Sequence, residues 1–204
     1  MFIVFEGPDG SGISTQANNL ANRLEKSGLK IFRTAEPSQN ILGKILREVL
    51  QKKQNLSPQA FQLLFFADRE EHIQKEIIPA VQRGEIVICE RFNWSSIAYG
   101  VAENIDQQFL ENIAGSFIEP DQTFFMNLSP EESMRRIEKR GEIVEYFEVP
   151  EKLRIVQKIM IQLTESCRFT KKATQLDASL SIEKLSSQID MILAPLLFAE
   201  NFKG

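Results

Sequence analysis

"FIVFEGPDGSGIST", Phe2 to Thr15, decides the fold. A short apolar run enters a glycine-rich turn, and a helical pattern follows. Gly, four residues, Gly, Lys, then Ser or Thr marks a turn that cradles phosphate between a strand and a helix. Gly7, Pro8, Asp9, Gly10, Ser11, Gly12, Ser14 and Thr15 satisfy that context, but the lysine position is Ile13. The glycines let backbone N–H groups turn inward, and the helix start adds its positive end. Ile13 contributes only its backbone N–H. Losing one preorganised cation near a transferred phosphoryl group costs on the order of 10²–10³ in rate. The alternative is a glycine-rich turn with no ligand.

Further along, short apolar runs alternate with amphipathic stretches. Strands are predicted over 1–6, 30–34, 85–90, 122–128 and 174–178. Helices are predicted over 12–28, 42–51, 57–84, 94–103, 106–116, 129–141, 148–167 and 181–197. Ser57 reads as the cap of the long 57–84 helix with Pro58 at its first position, and Pro79 as a bend near its end. Gly28 reads as a C-terminal cap. Alternating strands and helices imply a parallel sheet covered on both faces, an α/β three-layer α/β/α sandwich with five parallel strands. Polar clusters at 6–15, 34–38, 90–99 and 177–179 all follow strands, where such sheets bind ligands.

The 204 residues, 43% hydrophobic and 25% charged, suit one domain over 1–204. A net charge of −4 argues against a nucleic-acid coat but permits a nucleotide ligand. Cys89 and Cys167 offer neither a disulfide framework nor metal-type spacing, and both read as packed or inert thiols. With no signal-peptide pattern and no long apolar segment, the expectation is a cytoplasmic protein outside the membrane.

Beyond the turn, "FRTAEPS", "LLFFADREEHIQKEIIPAVQRGEIVICERFNWSSIAYG", "PDQTFFMNLSPEESMRRIEKRG" and "QLDASLSIEKL" continue a pattern across nearly the whole chain. The set resembles the thymidylate kinases, P-loop nucleoside monophosphate kinases that use ATP and Mg²⁺ to convert dTMP to dTDP for dTTP biosynthesis. The resemblance implies that Phe65 stacks beneath thymine, Arg69 meets a base carbonyl, and Arg91 binds the dTMP phosphate. It implies that Ser95 and Ser96 line the same pocket, Ser96 at the base edge, and that Tyr99 lies against the sugar. Asp9, Glu36 and Pro37 fall near the acceptor phosphate, sugar and metal. Ser14, Asp9 and Glu90 match the metal surroundings. Arg136 and Arg140 match arginines of a lid near 136–150 that, with Asp9 and Arg91, would serve the reaction centre. A homodimer is implied as well.

Departures from the family pattern are Ile13 for lysine, Ala35 for arginine, Glu90 for aspartate, Phe92 for tyrosine and Gly100 for glutamine. Three of them touch the polar shell of the reaction centre. Two alternatives therefore stand beside the kinase: a weakened or inactive nucleotide-binding relative, and a kinase for another nucleoside monophosphate. Simpler readings stand beside the site roles too. His72 reads as structural, Phe65 and Phe66 as core, Ser95 and Ser96 as helix caps, and Asp68–Arg69 as a surface pair. Arg135, Arg136, Lys139 and Arg140 read as a solvated face, Cys89 as core, and Trp94 as a lid or dimer contact.

Overall fold

The computed structural model describes residues 1–141 and 146–201, with side chains through 197. Strands β1 (Phe2–Glu6), β2 (Ile31–Ala35), β3 (Ile86–Glu90), β4 (Gln122–Asn127) and β5 (Ala173–Asp177) form one parallel sheet in the order β2-β3-β1-β4-β5. Helices α1 (Ile13–Lys26), α2 (Ile41–Leu50), α3 (Pro58–His72), α4 (Ile78–Gln82), α5 (Asn93–Ala102), α6 (Gln107–Ala114), α7 (Pro130–Arg140), α8 (Pro150–Glu165) and α9 (Ile182–Asn201) cover it. The expected three-layer α/β/α architecture is the one observed.

Strand alternation sends apolar side chains into cores on both faces of the sheet. Ile3 and Phe5 of β1 join Ala17, Leu20 and Leu24 of α1 and Leu185, Ile189 and Leu193 of α9 on one face. Phe2 and Val4 face the other way and meet Val87, Cys89 and Phe92. A third cluster packs Phe125 of β4 against Trp94 and Ile97 of α5 and Val156 and Met160 of α8. Leu20 is fully buried between β1 and α9. Leu20→Ala is expected to cost about 2–5 kcal/mol of stability, read as a lower midpoint at unchanged slope in urea melts.

Several local readings need correction. The 57–84 helix is not continuous: α3 passes into a wider π turn over Ile73–Ile77, and the Ile78 N–H reaches the Ile73 carbonyl. Pro79, which cannot donate to the ladder, follows at once. Ser57 has the extended backbone of a cap, but its hydroxyl makes no capping bond. Gly28 does end α1, at φ +84°. Trp94 is neither lid nor surface contact; it is buried, and its Nε1–H donates to the Arg168 carbonyl. Cys89 is buried, whereas Cys167 is exposed. Residues 142–145 of the expected lid lie outside the described residues.

Candidate active site

The Gly7–Thr15 turn lies at the carboxyl end of β1, between the ends of β3 and β4. Gly10 and Gly12 adopt φ +78° and +88°, in the left-handed region that side chains rarely enter. At Gly7 a Cβ would come within 2.6 Å of Ser11 Oγ and 2.8 Å of the Met126 carbonyl. The loop is thus held tightly against β4 while α1 points its unpaired first-turn amides outward. Ser11 Oγ is buried with no partner among the described residues, an orphaned donor in the wall of a cradle fit for an anion. Ser14 and Thr15 are exposed at the mouth. The Ile13 side chain turns the opposite way, into the β1–α1–α9 core.

Beside this turn a cavity of about 220 Å³ opens between α2, α3 and α5. The structure brings together around it all eight residues implied to bind the acceptor, namely Glu36, Pro37, Phe65, Arg69, Arg91, Ser95, Ser96 and Tyr99, and with them Asp9, implied near its phosphate. Arg91 is the link to the turn. Its Nη1 donates to the Gly7 carbonyl at 3.0 Å and to Ser95 Oγ at 3.3 Å, and its Nη2 to Asp9 Oδ1 at 2.5 Å. Tyr99 donates its hydroxyl to Asp9 Oδ2 at 2.9 Å. Burial works against the Arg91 charge, but Tyr99, Asp9 and Glu6 outweigh it and raise its pKa. Burial raises the Tyr99 phenol far above its ordinary range, which keeps it a neutral donor. The Arg91 backbone sits at φ +65°, a left-handed conformation that the surrounding contacts must hold.

Asp68 and Arg69 are not a surface pair; each is 1% exposed. Asp68 accepts from the Ser38 N–H and hydroxyl, both at 2.7 Å. Arg69 donates to Glu36 Oε2 from Nε at 2.9 Å and from Nη2 at 2.6 Å. His72, fully buried, lies 3.3 Å from Glu36 Oε1 and 2.6 Å from Thr34 Oγ1, packed between these two groups. Phe66 is core, while Phe65 faces the cavity. Ser95 and Ser96 do not cap α5; they bond Glu6 and Arg69 from within its first turn.

On the other side of the turn, Arg136 of α7 donates from Nη1 to the Gly10 carbonyl at 3.2 Å and from Nη2 to the Ala178 carbonyl at 3.0 Å. It is not merely a solvated residue. Glu132 braces it at 2.9 Å, and its hydrogen bonds to Arg135 and Arg136 pull the Glu132 carboxyl down to about 2. Arg140 instead pairs with buried Glu148 at 2.6 Å and does not line the cavity.

The donors implied for Mg²⁺ divide. Ser14 Oγ donates to Glu90 Oε2, so these two oxygens meet at the mouth of the turn. Both Asp9 oxygens are engaged by Arg91 and Tyr99. Among the described residues no three His, Cys, Asp or Glu side chains cluster as a metal cage. A hydroxyl and one carboxylate fit Mg²⁺, which keeps several waters and takes its remaining ligands from substrate phosphates.

Sequence reading missed several contributors. Glu6, at the end of β1, is 1% exposed and accepts from Phe92 N–H, Ser95 N–H and Ser95 Oγ, tying α5 to the turn. It lay within the quoted motif but read as strand. Arg47 and Gln62 line the cavity, and Arg47 donates to the Pro37 and Ser38 carbonyls. Burial raises the Glu6 pKa above the ordinary glutamate value. The folded state therefore holds the proton more tightly than the unfolded chain. Stability from this group falls as pH rises between the two values, and Glu6→Gln is expected to abolish that slope in urea melts run from pH 4 to 7.

The chain matches the family model described as thymidylate kinase over residues 5–189. It belongs to the thymidylate kinase family. A probable thymidylate kinase of Pyrococcus horikoshii is 38% identical over 169 residues, covering 80% of this chain and 82% of the relative. One of Thermococcus kodakarensis is 35% identical over 208 residues, with 98% and 100% covered. A thymidylate kinase of Brachyspira hyodysenteriae is 37% identical over 196 residues, with 95% and 96% covered. The chain is thus a member of a phosphotransferase family, and its Gly7–Thr15 turn stands beside the cavity. No helix among the described residues is long and apolar enough to cross a membrane.

Proposed function

We propose that the chain transfers the terminal phosphoryl group of ATP to dTMP, giving dTDP. The observation that carries this reading is Arg91, which spans from the phosphate-type turn to the cavity and presents one cation to both. Phosphoryl transfer needs two phosphates held in line with charge neutralised, and little covalent chemistry from the protein. In this reading the Gly7–Thr15 amides hold the ATP phosphates. Arg91 and Ser95 hold the dTMP phosphate, Phe65 supports the base, and Tyr99 and Glu36 border the sugar. Ser14 and Glu90 hold Mg²⁺, which neutralises phosphate charge when bound. Arg136, fixed on the Gly10 carbonyl, supplies part of the charge absent at Ile13, and Arg140 joins it on release from Glu148. Cytoplasmic location and a homodimer belong to the same reading.

The test is coupled ADP release with dTMP, together with thermal melts. At a dTMP concentration 100-fold above Kd the native state should gain about 2.7 kcal/mol. No turnover above background at high enzyme concentration would defeat the kinase reading. The core-directed Ile13 side chain favours one alternative, a nucleotide-binding relative without useful turnover. That alternative requires the dTMP melting shift without ADP release.

A further inference from the structure

The face of α3 turned to the cavity carries Gln62, Phe65 and Arg69, spaced i, i+3 and i+7. The two polar members differ sharply in what they have left to give. Arg69 donates from Nε and Nη2 to Glu36, from Nη2 also to the Phe92 carbonyl and Ser96 Oγ, and from Nη1 to Asn93 Oδ1. Of five N–H donors, this leaves one on Nη1. Gln62 is 1% exposed, and neither its Oε1 nor its Nε2 has a partner among the described residues. An amide buried without partners is costly and rare in native proteins.

Gly100 adjoins Gln62 on the facing helix, where its missing Cβ makes room chiefly for Leu110. A Cβ at position 100 would lie 3.4 Å from Gln62 Cγ and 2.6 Å from Leu110 Cδ1. The position at which the family pattern has glutamine thus lacks a side chain, and a glutamine on the facing helix occupies the adjoining wall.

We propose that Gln62 is a specificity-determining residue whose amide bonds the imide edge of the pyrimidine base. Nε2–H donates to a ring carbonyl and Oε1 accepts the N3–H, while the ring lies against Phe65. The pairing follows from chemistry: a primary amide sets a donor beside an acceptor, and the imide edge offers the complement. The proposal rests on the reading of this cavity as a dTMP site.

The test compares wild type with Gln62→Leu, using dTMP and its N3-methyl analogue as acceptors. Gln62→Leu should raise KM for dTMP about tenfold through loss of two hydrogen bonds, with kcat and KM for ATP within about threefold. The wild-type preference for dTMP over the N3-methyl analogue should shrink at least about fivefold. The ligand-free variant should melt at or above the wild-type temperature, because an apolar group replaces an unpaired amide. A purely structural Gln62 predicts the reverse, a lower melting temperature with unchanged preference between the acceptors, and that result would overturn the proposal. If Gln62→Leu fails to fold, Gln62→Met, unbranched and of similar length, carries the same comparison. Wild-type turnover of dTMP with unaltered preference in the variant defeats the Gln62 assignment alone. Wild type that neither binds nor phosphorylates dTMP defeats the assignment and the dTMP reading together.

Discussion

Replacing Arg91 with alanine is expected to lower kcat/KM for dTMP by about 10³ or more. Removing one preorganised cation costs on the order of 10²–10³, and here the loss compounds. Asp9 now shares its charge between Arg91 and Tyr99. Without Arg91 it would face an incoming dianionic phosphate as an uncompensated like charge. Arg91→Lys should recover only part of the activity, because an ammonium cannot reach the Gly7 carbonyl, Ser95 and Asp9 in a planar fork. Steady-state kinetics for both variants, with KM for ATP as the internal control, read the effect. Arg91→Ala within tenfold of wild type would remove the residue from the acceptor site.

Ile13→Lys is expected to raise kcat by about 10²–10³ while lowering the melting temperature. The gain is the charge that a P-loop otherwise places at the transferred group. The loss comes from packing: Ile13 is only 7% exposed and belongs to the cluster of Ile3, Phe5, Ala17 and Leu20. A lysine must lead its stem out of that cluster to put its ammonium in the cradle. The cost is about 1–3 kcal/mol, or several degrees for a chain of this size. A lower melting temperature with no gain in turnover would mean that the weakness lies elsewhere, at Ala35, Glu90 or Gly100, and would favour the nucleotide-binding reading.

Much of the site could be read before any coordinates, because its residues sit in local contexts that announce themselves. Gly7–Thr15 follows an apolar run and opens a helical pattern, so the anion cradle was visible as a local motif. The eight residues that the resemblance implies for the acceptor followed from a pattern matched residue by residue, and all eight line one cavity. What stayed hidden has no local signal. Glu6 looks like the last residue of a strand; its function comes from three donors at and just before the start of α5, 86 to 89 positions away. Arg69 looks like half of a surface pair, yet its partners Glu36, Phe92, Asn93 and Ser96 come from the segments that follow β2 and β3. Gln62 looks like a polar helix residue until its burial beside Gly100 is seen.

The sequence by itself determined the order of strands and helices, the parallel sheet and the phosphate-type turn. Each of these depends on periodicity, glycine placement and apolar runs, which are properties of neighbouring residues. Only the tertiary structure decided that Ile13 points into the core, that Arg136 is clamped on Gly10 while Arg140 is turned to Glu148, and that the Gln62 amide is left unpaired. Burial and hydrogen-bond saturation are set by groups distant along the chain, and they exist only once the sheet has brought those groups together.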